Sequence, residues 1–277
     1  MARQDVQSPE MRRGIVSDEI NWNRIRDLAQ RVLERSEPLE LSEDTRALLL
    51  KTAREVAISE QDAEDALRSL PTATTLLREI RQRSLTGSRR LSRARDRVEE
   101  LQEKGDLNGA QQVIRDLLTV EVVPLYREQA EILLDELTGL AEVLATGRIN
   151  PDLHDRQQLA ALSLRVQQGH ALDLTDDLRV LLRQTAPTAA ISETETEEAL
   201  NSPKGAEALM GMILSRFREG ERRFLDSMYR MTSLRDSGDL EGARQQMRDV
   251  LAVEIVPQYR RMAEEVLRGL DNPPPES

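Results

Sequence analysis

One phrase occurs twice in this chain, and it decides the fold. "GDLNGAQQVIRDLLTVEVVPLYR" spans residues 105–127, and "GDLEGARQQMRDVLAVEIVPQYR" spans residues 238–260, 133 residues later. The same offset aligns residues 41–137 with residues 174–270 without a gap. A solenoid repeat has a period of roughly 20–50 residues, so this offset is too long for a solenoid. We therefore interpret the chain as a tandem duplication of a unit large enough to bury its own core.

The composition favours helices and excludes several classes of protein. Hydrophobic residues make up 39% of the 277 residues but aromatic residues only 2%, so the core must be built from Leu, Val, Ile, Ala and Met. A net charge of −11 argues against a general nucleic-acid binder. The absence of cysteine excludes disulfides, thiol catalysis and Cys-ligated metal sites. No apolar run resembles a signal peptide or a membrane span, so we predict a cytoplasmic protein.

Local signals place short helices at the start of each repeat. The segments "SEQD" and "SETE" fit a capping box that begins a helix at Ser59 and at Ser192. Gly105 and Gly238 suit the left-handed residue that ends a helix, and the aspartate after each suits the start of the next helix. So short a turn predicts an antiparallel helical hairpin.

The first arm of each hairpin has an apolar seam with steps of three and four. This spacing predicts one long helix with a packed face, although Gly87 and Gly220 on the seam could instead break it. We favour continuity, with each glycine marking the close approach of a neighbouring helix. The seam residues are Leu77, Ile80, Ser84, Gly87, Leu91, Ala94, Val98 and Leu101, and Met210, Ile213, Phe217, Gly220, Phe224, Ser227, Met231 and Leu234.

A proline lies inside the second arm of each hairpin. Because proline removes an amide donor and clashes with the preceding turn, we predict a helix kinked at Pro124 and at Pro257. The predicted fold is thus all-α, with two tandem helical-bundle repeats, each having short N-terminal helices and a long antiparallel hairpin. The predicted divisions are a disordered N-terminus (1–17), repeat 1 (18–144), a linker (145–152), repeat 2 (153–270) and a disordered tail (271–277).

The sequence offers little for catalysis. The two histidines, His154 and His170, do not recur between the repeats, and no glycine-rich phosphate loop, nucleophile elbow or zinc-binding His-Glu-x-x-His occurs. We predict no enzyme, no metal and no cofactor. Recurring carboxylates could in principle bind a metal or act as acid and base, but we interpret them as parts of helix-surface ion pairs with Arg115 and Arg248 nearby. These carboxylates are Asp116, Glu121, Asp249 and Glu254.

Eight arginines crowd residues 78–97 and supply the alternative function. They could bind phosphate or nucleic acid, but a solvated helix face paired with the chain's own carboxylates is the more common meaning of such a run. No aromatic residue interleaves with them for base stacking. A superficial helix-turn-helix pattern at residues 53–67 is opposed by the acidic residues of its second helix, which would repel DNA.

Three segments carry a resemblance to a known family. "VAISEQDAEDALRS" (56–69), "GSRRLSRA" (87–94) and above all the phrase at 238–260 resemble the DUSAM domain, a paralogous family of myxobacterial proteins of unknown function. The resemblance covers about residues 18–140 and 151–270 and implies a tandem pair of domains without an activity. The second copy departs from the first, with Arg156 near the place of Trp22 and Pro187 in the place of Arg54.

We therefore predict a non-enzymatic helical protein–protein interaction or regulatory module, with an unknown protein partner and possible self-association. The alternative is a phosphate- or nucleic-acid-binding protein that uses the arginine-rich helix at 78–97, and we expect no membrane partner. The predicted interaction surface consists of Arg89, Arg90, Arg115, Asp116, Glu121 and Arg127 in the first copy, and Arg222, Arg223, Arg248, Asp249, Glu254 and Arg260 in the second.

Overall fold

The computed structural model of the chain describes residues 21–271. Within this range the chain forms twelve α-helices and no strand. The prediction of an all-α protein with two tandem repeats is confirmed. The predicted disordered ends lie outside the described residues, except for Asp271, which is the last residue of a helix.

The chain divides into two compact units, Met1–Ala141 and Glu142–Ser277. The helices that begin in the first unit are α1 (Asn23–Ala29, continued by a π-helical turn at Gln30–Glu34), α2 (Glu43–Glu55), α3 (Glu60–Ala66), α4 (Leu70–Glu103), α5 (Leu107–Val120) and α6 (Pro124–Thr146). The second unit contains α7 (Asp155–Gln167), α8 (Asp176–Thr185), a 3₁₀ turn (Pro187–Ala189), α9 (Glu193–Ala199), α10 (Pro203–Asp236), α11 (Leu240–Val253) and α12 (Pro257–Asp271).

The short helices begin at side-chain caps that the sequence shows. The Ser59 hydroxyl accepts a hydrogen bond from the amide of Asp62, and Ser192 and Glu195 form a reciprocal capping box. These contacts satisfy amide groups that have no partner inside the helix. The acidic side chains of the first turn also interact favourably with the positive end of the helix dipole. The predicted caps are therefore confirmed in both copies.

The long helices α4 and α10 continue through their central glycines, as predicted. Gly87 and Gly220 are buried in the middle of helices of 34 residues each. Beyond each long helix, Gly105 and Gly238 adopt φ angles of 73° and 88° and reverse the chain. The following helix therefore packs back against the long one, and the hairpin of each unit is confirmed.

The prediction of a helix kinked at the proline is wrong. Helix α5 ends at Val120 and helix α11 at Val253, and three non-helical residues separate each from the next helix. Pro124 and Pro257 each begin a new helix. Proline suits the first helical position because its missing N–H would have no intrahelical partner there and its φ is already helical. We call residues 121–123 and 254–256 the helix breaks.

Candidate functional site

Each helix break is built around a buried glutamate. Glu121 is 2% exposed and Glu254 is 1% exposed. The Oε1 atom of Glu121 accepts hydrogen bonds from the amides of Val122 (3.0 Å) and Val123 (2.9 Å). Glu254 Oε1 accepts one from the amide of Val256 (2.8 Å). The carboxylate thus replaces the helical carbonyls that these amides lose where the helix stops.

An arginine binds the carbonyl groups on the other side of each break. Arg127 Nη1 donates to the carbonyl oxygens of Leu118 (2.7 Å) and Glu121 (2.9 Å). Arg260 Nη1 makes the equivalent bonds to Leu251 and Glu254, both at 2.8 Å. A cation at the C-terminal end of a helix satisfies unpaired carbonyls and complements the helix dipole. Side chains therefore satisfy amide groups on one side of each break and carbonyl groups on the other.

A tyrosine and the central glycine fix the long helix against the break. A Cβ atom on Gly87 would collide with the ring of Tyr126 and lie 3.0 Å from Glu121 Oε1. A Cβ atom on Gly220 would lie 2.6 Å from the ring of Tyr259 and 3.1 Å from Glu254 Oε1. The prediction that each glycine marks a close approach is confirmed, and the approaching groups are now identified. Burial raises the pKa of the Tyr126 hydroxyl.

The second carboxylate oxygen, Oε2, has a different environment in the two units. In the second unit, Arg223 Nη1 donates to Glu254 Oε2 at 2.5 Å. In the first unit, Arg90 Nη1 donates instead to the carbonyl oxygen of Val120 at 3.2 Å and lies 3.8 Å from Glu121 Oε2. Glu121 Oε2 is buried and has no hydrogen-bond partner among the described residues.

The packing around the tyrosine also differs. In the first unit, Trp22 meets the ring of Tyr126 edge-on with ring centres 5.8 Å apart, and its Nε1 donates to Glu55 at 2.7 Å. In the second unit, Arg156 lies over the ring of Phe217, 4.5 Å from its centre. Arg156 also donates to the Tyr259 hydroxyl at 3.4 Å, and Phe224 stacks on the Tyr259 ring.

The predicted interaction residues fall into two groups. The group at the helix breaks comprises Arg90, Glu121, Arg127, Arg223, Glu254 and Arg260, and the structure brings these together within each unit. The other six lie on exposed helix surfaces: Arg89, Arg115, Asp116, Arg222, Arg248 and Asp249. Whether any of them contacts a partner stays a prediction.

The predicted surface ion pairs of the recurring carboxylates are wrong. Arg115 donates to Gln111 Oε1, and Arg248 donates to Glu241, whose pKa it holds below the usual range. Asp116 and Asp249 each accept from the glutamine one turn earlier. Glu121 and Glu254 are not on the surface at all, because the unpaired amides of the break bind them inside.

The arginine run on α4 is largely engaged with the unit itself. Five of its members have a hydrogen-bond or ion-pair partner: Arg81 with Glu34, Arg83 with Glu79 and two carbonyls of residues 56–57, Arg90 with Val120, Arg95 with Gln129, and Arg97 with Glu100. Arg78, Arg89 and Arg93 are exposed and have no such partner among the described residues. Since 11 residues are about three helical turns, these three share one face of α4.

Four exposed apolar residues that sequence reasoning did not select flank the buried glutamates. Val120 is 53% exposed and Val122 is 51% exposed, and in the second unit Val253 is 60% and Ile255 is 52% exposed. We call these the exposed pairs. The signal is present in the repeated "VEV" and "VEI", but the prediction of surface ion pairs places the glutamate, and not the apolar residues, on the surface.

Two further properties concern metals and membranes. Among residues 21–271, no group of three or more His, Asp or Glu side chains could hold a metal ion. In the same part of the chain, no helix combines the length and the apolar character needed to cross a bilayer.

Comparison with known proteins identifies the family. Neither the curated proteins nor the solved structures gave a match. A family described as "Protein of unknown function (DUF2379)" matches residues 20–137 and again residues 154–270, so each match contains one complete helix break. The chain therefore belongs to this family of unknown function and carries its domain twice.

Proposed function

We propose that the chain is a non-enzymatic helical module, made of two DUSAM-like domains in the cytoplasm, that binds a protein partner. The observation that supports this most directly is the pair of exposed apolar side chains at each helix break. Both units present two of them at equivalent positions, and all four are more than half exposed. A repeated apolar contact point on one chain suits a module that recognises a partner through similar surfaces.

The backbone alone does not require these side chains to be apolar. Extended backbone next to a helix end favours β-branched residues, and Val and Ile satisfy that preference. Threonine would satisfy it as well and would leave a polar surface. Apolar residues at both positions in both units therefore point to contact with another molecule.

The exposed pairs can be tested by affinity capture from the native cell followed by mass spectrometry. The double variant Val122→Lys with Ile255→Lys is compared with the control Ile132→Lys with Val180→Lys, which changes apolar residues of similar exposure elsewhere. We expect a partner that the wild-type chain and the control capture and the first variant loses. Capture of the same proteins by all three, or of none by the wild type, would contradict the proposal.

Self-association is one form of this proposal, with the acidic helix α3 or α9 meeting the arginines of another copy. The structure reduces the charge available for it, because Glu60 pairs with Arg54 at 3.0 Å and Glu197 with Arg183 at 2.6 Å. Sedimentation velocity at low and high salt tests this form, since charge attraction is screened by salt. A monomer at both salt concentrations over a wide protein range excludes it.

The alternative function, binding of phosphate or nucleic acid, is supported by Arg78, Arg89 and Arg93. They share an exposed face of α4 and have no hydrogen-bond or ion-pair partner in the described part of the unit, residues 21–141. A gel-shift assay with mixed RNA and DNA tests it, with Arg89→Glu plus Arg93→Glu as the variant, because Arg90 belongs to the helix break. Salt-dependent binding that the variant loses supports the alternative, and no shift at low salt removes it.

A further inference from the structure

A groove runs along α4 in the first unit and ends at the helix break. Its volume is about 540 Å³, and it is lined by α4 from Thr75 to Arg90 and by Val120, Glu121 and Val122. The fifteen helical steps from Thr75 to Arg90 correspond to roughly 22 Å, which matches six or seven residues of extended chain. We propose that this groove binds an extended acidic peptide segment of the protein partner. This inference rests on the proposed function and names the site and the chemistry of the partner.

The strongest feature of the groove is the free oxygen of Glu121. The side chain is almost fully buried, yet Oε2 accepts no hydrogen bond from the described residues. A buried acceptor without a donor is unfavourable, so a ligand that brings an N–H or O–H group to this atom gains binding energy. The atom is closed off from solvent and Arg90 lies 3.8 Å from it, so a ligand has to displace the Arg90 side chain to reach it. The groove then has a polar anchor point beside the exposed Val120 and Val122.

The second unit provides an internal comparison. There Arg223 donates to Glu254 Oε2 at 2.5 Å, so the equivalent oxygen is already satisfied. At the 133-residue offset, Gly211 stands in the place of Arg78 and Glu219 in the place of Thr86. Met212 stands in the place of Glu79, so this wall has gained one carboxylate and lost another. The second unit thus keeps the helix break, but its wall has one cation fewer and the same number of carboxylates. Binding of an acidic segment is expected in the first unit.

The charged residues of the groove favour a ligand with negative charge. Arg83 is occupied by Glu79 and by the carbonyl oxygens of residues 56–57. Arg78, at one end of the groove, has no hydrogen-bond or ion-pair partner within residues 21–271, and Arg90 at the other end is 43% exposed in its side chain. Twelve residues of helix separate these two arginines by roughly 18 Å, the length of about five extended residues. Two carboxylates spaced in this way can pair with both ends.

The same features exclude other kinds of ligand. A free amine would be attracted by Glu121 but repelled by Arg78 and Arg90. An ionised phosphate chain could pair with the arginines, but it has no N–H group to donate to Glu121 Oε2. A helical partner has no free amide to donate in its interior, because each one is bonded to the carbonyl four residues earlier. An extended segment has free amides along its length. It can donate one to Glu121 Oε2 while an apolar side chain covers Val120 and Val122.

The test uses the full chain and a phage-displayed library of random dodecapeptides. We expect enrichment of acidic sequences that contain an apolar residue, and salt-sensitive binding of the corresponding fluorescein-labelled peptide in fluorescence anisotropy. Arg78→Ala alone should weaken this binding, and Arg78→Ala with Arg90→Ala should weaken it at least about tenfold. Because Arg90 belongs to the helix break, the double variant must keep the circular dichroism spectrum of the wild type. The matched control, Arg218→Ala with Arg230→Ala on the exposed surface of α10, should leave it unchanged.

Glu121→Gln separates recognition from stability. The glutamine Oε1 can still accept from the amides of Val122 and Val123, but its NH₂ group replaces the free acceptor. We expect weaker peptide binding with an unchanged circular dichroism spectrum. The inference is overturned if acidic peptides are not enriched, or if they bind the groove variants as tightly as the wild type. If the captured partner depends on the exposed pairs but not on Arg78 or Glu121, the proposed function stands and the groove assignment fails.

Discussion

The two units share a helix break but differ in whether an arginine donates a hydrogen bond to the second oxygen of its buried carboxylate. In both, a buried glutamate accepts hydrogen bonds from the backbone, from two amides in the first unit and one in the second, and an arginine donates to the preceding carbonyls. In the second unit Arg223 also donates to the outer oxygen, Oε2. In the first unit Arg90 donates to a carbonyl instead, and Oε2 of Glu121 has no donor within residues 21–271. The backbone of the break therefore depends on the inner oxygen, Oε1, which binds the amides. The outer oxygen, Oε2, is free to serve a different purpose in each unit.

The tyrosine at the break teaches a related lesson. In the first unit the tyrosine is contacted edge-on by the ring of Trp22. In the second unit the guanidinium group of Arg156 donates a hydrogen bond to its hydroxyl. Phe217 supplies the ring beneath Arg156, where the first unit has Ser84. What both units keep is a packed contact on the tyrosine, which different residue types can provide.

The largest expected effect comes from removing the shared glutamate. Glu121→Ala or Glu254→Ala leaves buried amides unpaired and opens a cavity, so we expect the free energy of unfolding of that unit to fall by about 3 kcal/mol. Urea unfolding of the full chain, combined with hydrogen exchange of peptides from each unit, measures the loss and its location. Glu128→Ala and Glu264→Ala, at exposed positions, are the controls. A loss below about 1 kcal/mol would show that the glutamate does not hold the break.

The glycines give a test with opposite signs on one helix. Gly220→Ala places a methyl group 2.6 Å from the Tyr259 ring, and we expect a loss of about 1–3 kcal/mol from overpacking. Gly211→Ala, also in α10, meets nothing within 4 Å and should stabilise the helix by about 1 kcal/mol through its higher helix propensity. Thermal unfolding followed by circular dichroism compares the two variants. A stabilising Gly220→Ala would contradict the close packing of the tyrosine.

A pair of isosteric variants tests the difference between the two carboxylates. Glu254→Gln removes the charge of the group that accepts from Arg223, and we expect a cost of about 1–2 kcal/mol, reduced because Arg223 is 35% exposed. Glu121→Gln removes no direct hydrogen bond from Arg90 and should change stability by less than about 0.5 kcal/mol. Double-mutant cycles with Arg223→Gln and Arg90→Gln measure the coupling. Equal coupling in the two units would remove the distinction between them.

The sequence predicted the features that depend on neighbouring residues. Ser59 and Ser192 begin helices because a cap needs only an amide three residues away, and Gly105 reverses the chain because only its own φ matters. The seam through Gly87 follows from helical spacing. The effect of the proline was harder to predict, because proline is compatible both with a kink inside a helix and with the first position of a new helix. The outcome depends on whether a side chain satisfies the unpaired amides, and the Glu121 carboxylate does so in the space that the distant Gly87 leaves open.

The candidate site was only partly visible in the sequence. Glu121, Glu254, Arg127 and Arg260 were selected because they recur, but recurrence does not show burial. A glutamate between two valines is expected to face solvent, and the structure reverses this order because the carboxylate has amides to bind. The exposed pairs were missed for the same reason. The free oxygen of Glu121 could not be predicted, since it depends on which of two acceptors Arg90 contacts.

The smallest expected effects concern the residues beside the tyrosine. Trp22→Phe keeps a ring against Tyr126 but loses the hydrogen bond to Glu55, for an expected cost of about 1 kcal/mol. Arg156→Lys keeps the charge but loses the flat group over Phe217, for an expected cost of about 0.5 kcal/mol. Because Trp22 is the single tryptophan, unfolding must be followed by circular dichroism instead of fluorescence.

The order of these two costs decides how the units differ. Trp22 is buried, and its ring covers a large apolar area that would otherwise contact water. Arg156 is partly exposed, and a lysine in its place can still cover Phe217 with its aliphatic chain. If Arg156→Lys costs more than Trp22→Phe, the guanidinium is the main support of Tyr259 and not a substitute for missing aromatic packing. The second unit would then depend on charged contacts at both Arg156 and Arg223, and its stability should fall more steeply with salt than that of the first unit.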